Sequence, residues 1–246
     1  MKLWTNLFGY REVALRFPSI VFSLLTGIFV YKIAKLLSGY IAGLWATAFF
    51  LFNPLIVYYS QEARMYMMTT FLLTVGLYYL FKSLRVNGLT GYGFKNIILM
   101  NLFFILSFYT FYGSIFFIAT VFIYLIFKKK YKTFFVSCLL FLVSFALVSP
   151  LLYQQLINSR IVLTNVANWS SVLGKSNIKN LLLIPIKFSI GRISFYPKWV
   201  YWGVAGIWTT FVCWLLTQKL KVKSQKLNSK VKSLFFLLVT PLILGF

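Results

Sequence analysis

Residues 133–152, TFFVSCLLFLVSFALVSPLL, contain no charged side chain. A bilayer core about 30 Å thick is crossed by about 20 predominantly apolar residues in a helix, and this run is one such segment. Comparable runs occupy 17–37, 41–59, 65–81, 96–112, 113–127 and 200–217, with a partial one from 234. Backbone groups in hydrocarbon must be satisfied within the segment, so each run is expected to be a helix. The expected fold is therefore all-α, a polytopic transmembrane bundle of about seven to eight spans. Composition agrees, with 61% hydrophobic and only 11% charged residues, against roughly 25% charged in soluble domains. Such a chain has little room for a water-soluble domain, and 1–246 reads as a single transmembrane unit.

The charge balance is lopsided: 25 Lys and Arg stand against two acidic residues, giving +23. Nucleic acid is not the expected partner, because the cations lie in short clusters between apolar runs, where membrane lipid headgroups are closer. Lys32/Lys35, Lys82/Arg85/Lys95, Lys128 to Lys132 and Lys219 to Lys232 alternate with the remaining loops. The positive-inside rule places these clusters in the cytoplasm. The N-terminal segment, the 60–64 stretch, the 109–113 junction and the connection 153–199 then share the extracytoplasmic face of a cell membrane. Within 153–199, Pro185 and Pro197 interrupt an apolar and basic segment that contains Lys187, Arg192 and Lys198. An amphipathic segment lying in the interface is expected there. Cys138 and Cys213 have neither CxxC spacing nor a His to complete a metal set, and read as buried or lipid-facing thiols. The N-terminus lacks an apolar stretch of signal-peptide length. The final run from 234 is too short to span, which suggests a chain incomplete at its C-terminus.

The two acids are Glu12 and Glu62, and Glu62 sits in YYSQEARMYMM, Tyr58 to Met68. A carboxylate at membrane depth is costly without a partner or a task. A helix starting near Ser60 would put Glu62 and Tyr66 on one face, with Gln61 and Arg64 as neighbours. Two readings follow: a helix start with Ser60 as cap and Glu62 on the dipole, or a polar constellation at the outer mouth of a bundle. Arg16 and Arg64 have the planar fork that grips a lipid phosphate.

The run from Ala14 to Met68 resembles the polyprenyl-phosphate-dependent membrane glycosyltransferases of the GT-C superfamily, which includes protein O-mannosyltransferases and aminoarabinose transferases. The resemblance lies in LRFPS at 15–19, SGYIAG at 38–43, NP at 53–54 and above all YYSQEARMY at 58–66. YTFYG at 109–113 is similar to a YTHY segment of the same group, with Phe111 in place of His, and Pro150 with Gln154 and Gln155 resembles the end of a later helix.

The resemblance implies transfer of a sugar from a polyprenyl-phosphate-linked donor to a lipid, glycan or protein acceptor at the outer face. It marks Glu62 as the candidate catalytic carboxylate and Gln61, Arg64, Tyr66, Arg16, Tyr109, Tyr112 and Arg192 as candidate substrate-binding residues. The family's acidic first outer loop has no counterpart here, which suggests an N-terminally incomplete chain whose main base lies outside it. A divalent cation is a conceivable companion of Glu62, but one carboxylate makes a poor metal site and no metal is assigned. A transporter or flippase of polar or lipid-linked cargo, or a noncatalytic scaffold, would also accommodate a charged mouth on a polytopic bundle. Oligomeric state, sugar and acceptor are left open by these residues.

Overall fold

The computed structural model describes residues 2–85 and 92–165, together with 199–200, 203, 206–207, 210, 236–237 and 240–241. Eight α-helices and no strand occur among the described residues: α1 (Lys2–Phe8), α2 (Glu12–Ser38), α3 (Tyr40–Leu51), α4 (Pro54–Ser60), α5 (Tyr66–Arg85), α6 (Tyr92–Thr110), α7 (Ile115–Phe127) and α8 (Tyr131–Asn165). A single 3-10 turn, Tyr112–Ser114, leads into α7. The fold is thus an all-α polytopic bundle. Among the described residues four helices are long and apolar enough to cross a membrane, five if a bent pair counts as one span. The expected spans at 200–217 and from 234 lie largely outside the described residues, as do Arg192 and the interfacial segment.

That bent pair corrects the expected continuous span 41–59. Helices α3 and α4 meet at 60°. The break has a local cause: the Asn53 side chain accepts from the Leu55 N–H at 2.9 Å, and Pro54 occupies the first turn. Asn as N-cap with Pro just inside is a helix start, so the preceding helix must end at Leu51. A second correction concerns α8, expected over 133–152, which continues through Asn165 despite Pro150. The connection assigned to 153–199 therefore begins as helix.

Helix direction follows from side-chain pairs. Along α2 and α5, Phe22 meets Phe71, Phe29 meets Phe71 and Tyr78, and Arg85 donates to the Leu36 carbonyl. Both numbers rise together, so these two helices run parallel, with α3 and α4 returning between them. The same holds for α6 and α8: Asn101 Nδ2 donates to Ser137 Oγ at 3.0 Å, and further along Tyr109 Oη bonds Ser144. Alternating loops therefore fall at opposite ends. Lys32, Lys35 and Lys82 gather at one end over the rings of Phe29, Tyr31, Tyr40 and Tyr78. The SQEAR stretch and the YTFYG junction lie at the other.

Lipid supplies no hydrophobic drive between helices, so close approach at small residues and interhelical hydrogen bonds hold such a bundle. A Cβ on Gly76 of α5 would lie 2.4 Å from Phe104 Cε1 of α6, and one on Gly43 of α3 would lie 2.9 Å from Tyr31 Cδ2 of α2. Around these contacts Leu80, Met100, Phe104, Val121 and Leu125 are fully buried. The core thus sits among α5, α6 and α7, and fixes the end that carries the polar constellation.

Candidate active site

The SQEAR stretch is not the start of a helix. Ser60 is the last residue of α4, Gln61 to Met65 form an irregular turn, and α5 begins at Tyr66. Ser60 Oγ donates back to the Val57 carbonyl at 2.7 Å, so it is no N-cap. The physical cause of the break is tertiary: Ser19 Oγ of α2 donates to the Glu62 carbonyl at 2.9 Å. That carbonyl also accepts the Arg64 N–H at 2.8 Å. A carbonyl held by these two donors is not aligned with a following helical turn, and the chain reverses instead.

The turn brings together by another route what helical spacing was expected to bring. Arg64 Nε pairs with Glu62 Oε1 at 3.3 Å. The Tyr66 side chain hydrogen-bonds Arg64 and, with the Glu62 charge next in weight, holds the guanidinium above its ordinary pKa. Arg64 stays cationic and solvent-facing, with 60% of its side chain exposed, whereas Glu62 is at 22%. Glu62 Oε2 is buried and makes no hydrogen bond with the protein. Gln61 closes the last turn of α4 through its N–H to the Tyr58 carbonyl, and its side chain faces outward.

Arg16 stands one turn before Ser19 on α2, about 4.5 Å nearer the helix start along the axis. It pairs with Glu12 at 3.5 Å. Both acids in the sequence therefore accompany arginines at the same end of the bundle. Tyr112 packs on Phe108 at 5.4 Å beside the turn into α7. Tyr109, an expected ligand contact, has its hydroxyl engaged by Ser144 of α8.

Below the charged turn lies a cavity of about 510 Å³, lined by Tyr59, Tyr66, Phe50, Phe111, Phe116 and Phe117 among others. Tyr66 stands edge-on between Tyr59 (5.2 Å) and Phe111 (6.1 Å), which joins the two stretches that resembled known motifs. Gly113 is required there: a Cβ would meet the Phe111 ring at 2.4 Å. Thr69 and Thr70 line the same space but bond back to the Met65 and Tyr66 carbonyls, which leaves its wall largely apolar. Ser19, Tyr59 and Ser114, also on this wall or turn, were missed as individual residues. Ser19 alone had a signal, a small polar side chain directly after Pro18 in the LRFPS stretch.

A family model described as dolichyl-phosphate-mannose-protein mannosyltransferase matches residues 1–154, which takes in the SQEAR turn, the cavity wall from Phe50 to Phe117, and α1 to α7 entire. No curated protein and no solved structure matches the chain.

Proposed function

Because the chain belongs to the dolichyl-phosphate-mannose-protein mannosyltransferase family, a GT-C type family of membrane glycosyltransferases that use polyprenyl-phosphate-linked sugars, we propose that it transfers a sugar from such a donor at the extracytoplasmic face. One observation carries this reading: Tyr66, two residues after Arg64, directly follows the cationic turn and lines the apolar cavity, so charge and apolar space adjoin. A polyprenyl phosphate has the matching amphipathic form, an anionic head joined directly to an isoprenoid chain.

In this reading Arg64 and Arg16 receive the phosphate, and the first isoprene units enter the space bounded by Tyr59, Tyr66 and Phe111. Transfer breaks the bond between the anomeric carbon and the phosphate oxygen while the acceptor's hydroxyl oxygen bonds that carbon and its proton passes to solvent, and negative charge grows on the departing phosphate. Fixed guanidinium groups stabilise that charge more than they stabilise the ground state. Glu62 Oε2, buried without a partner, orients a hydroxyl of the sugar or acceptor. Gln61 and Tyr112 border the path of the acceptor, and Arg192 is proposed as a further phosphate contact. We read 1–246 as a single unit whose connection after α8 lies on the same, extracytoplasmic side.

The test uses the purified protein with a short polyprenyl phosphate, the matching polyprenol, and inorganic phosphate, followed by transfer assays with polyprenyl-phosphate sugars. Tight binding only of the ligand that contains both head and chain, with sugar transfer, is expected. Movement of an intact lipid-linked sugar across liposomes without cleavage would overturn the enzymatic reading in favour of a flippase.

A further inference from the structure

Pro18 lies inside α2 and has no N–H, so the Ala14 carbonyl loses its intrahelical donor. That carbonyl is nevertheless satisfied: Trp4 Nε1 of α1 donates to it at 2.7 Å. The indole also stacks on Phe17 at 5.8 Å with 7° between the planes, and lies 4.2 Å from Phe8. Gly9, at φ +76°, makes the reversal that lets α1 fold back onto α2. The first turn of α2 has little else to hold it. Its N-cap, Arg11, provides no side-chain capping bond, and Glu12 and Val13 are exposed.

We propose that Trp4 is a positioning residue for Arg16: by replacing the hydrogen bond that Pro18 removes, it fixes the turn that carries Arg16 relative to Ser19 and the Glu62 turn. The proposal rests on the reading of Arg16 as a phosphate contact. Ala14 precedes Arg16 by two residues and Phe17 follows it directly, so the indole holds the backbone before the cation and the ring after it. Ser19 then ties the next turn to Glu62. The two arginine-bearing segments are thereby held through one short stretch of α2, from Ala14 to Ser19.

A pair of substitutions isolates the hydrogen bond. Trp4→Phe keeps an aromatic ring against Phe17 but deletes the donor, and Pro18→Ala returns an N–H to the Ala14 carbonyl from within the helix. In the Pro18 background, Trp4→Phe is expected to raise donor KM about three- to tenfold, the range of one lost hydrogen bond, with kcat held. In the Pro18→Ala background the same substitution is expected to leave donor KM within about twofold, because the carbonyl no longer needs the indole. Hydrogen exchange of residues 13–17 should rise in Trp4→Phe and return in the double variant. Equal KM effects in both backgrounds, or none in either, would overturn the proposal. Arg16→Lys is measured alongside: if it leaves donor KM unchanged, the phosphate reading of Arg16 fails and Trp4 is reduced to a latch for α1, whatever the exchange data show. If Arg16→Lys weakens the donor while Trp4→Phe does not, only the positioning role falls.

Discussion

The Ser19 hydroxyl donates to the Glu62 carbonyl across a separation of 43 residues, and this bond joins α2 to the irregular turn before α5. Ser19→Ala deletes the donor while the Arg64 N–H still serves the carbonyl. The expected loss is about 0.5–1.5 kcal/mol of stability, together with weaker donor binding, and Ser19→Thr should restore both. Thermal unfolding in detergent and donor titration read the two effects separately.

Glu62→Gln should leave folding intact and lower turnover by about 10² to 10³, the scale of one preorganised electrostatic contact. A dipole role is no longer available as an explanation, since Glu62 is separated from Tyr66, the first residue of α5, by an irregular turn. Equal yield and Tm with near-normal transfer would remove Glu62 from the active site.

Arg64→Lys preserves charge but not the planar fork that pairs with Glu62 and, in the proposed reading, with a phosphate. Donor affinity should fall about tenfold or more, with little change in Tm. An unchanged affinity in a binding titration would leave Arg64 as a headgroup-facing cation only.

Gly76→Ala places a methyl 2.4 Å from the Phe104 ring. Overpacking of this kind costs about 1–3 kcal/mol, and Phe104→Leu in the same chain should recover part of it. Chemical or thermal unfolding of the single and double variants checks the pairing of α5 with α6.

Sidedness is tested with Cys138 and Cys213 replaced by Ser and single cysteines introduced at 61, 112 and 129. An impermeant thiol reagent on intact cells should reach 61 and 112, which share one end of the bundle, and should reach 129 only after permeabilisation. The reverse pattern would invert the topology.

Much of the bundle was legible because apolar run length reports span length directly. The break at Asn53–Pro54 was also legible in principle, since an N-cap residue followed by Pro is a start signal. The turn at Gln61 to Met65 was not. Its residues have ordinary helical propensity, and what stops the helix is a hydroxyl on α2 that no local window contains. Glu62, Arg64 and Tyr66 were found together because their types are rare or functional in an apolar chain, although the face-sharing expected of a helix was the wrong geometry. Tyr109 shows the same limit: its neighbours in sequence place it beside the YTFYG junction, while the engagement of its hydroxyl by Ser144 depends on α8, 35 residues away. Trp4 gave no signal at all, because the need it meets is created by a missing N–H fourteen residues later at Pro18.

The pairing of each carboxylate with an arginine changes what an arriving anion encounters. The Glu12–Arg16 pair is exposed, contributes little and opens readily, and Arg64 faces solvent on its side of the second pair; in the proposed reading a phosphate therefore meets cations that already have partners. Binding is then an exchange of counter-ions within the protein. In the proposed use, a phosphate that draws Arg64 toward itself would free Glu62 Oε1 as well, adding a second acceptor beside the Oε2 that is already without a protein partner.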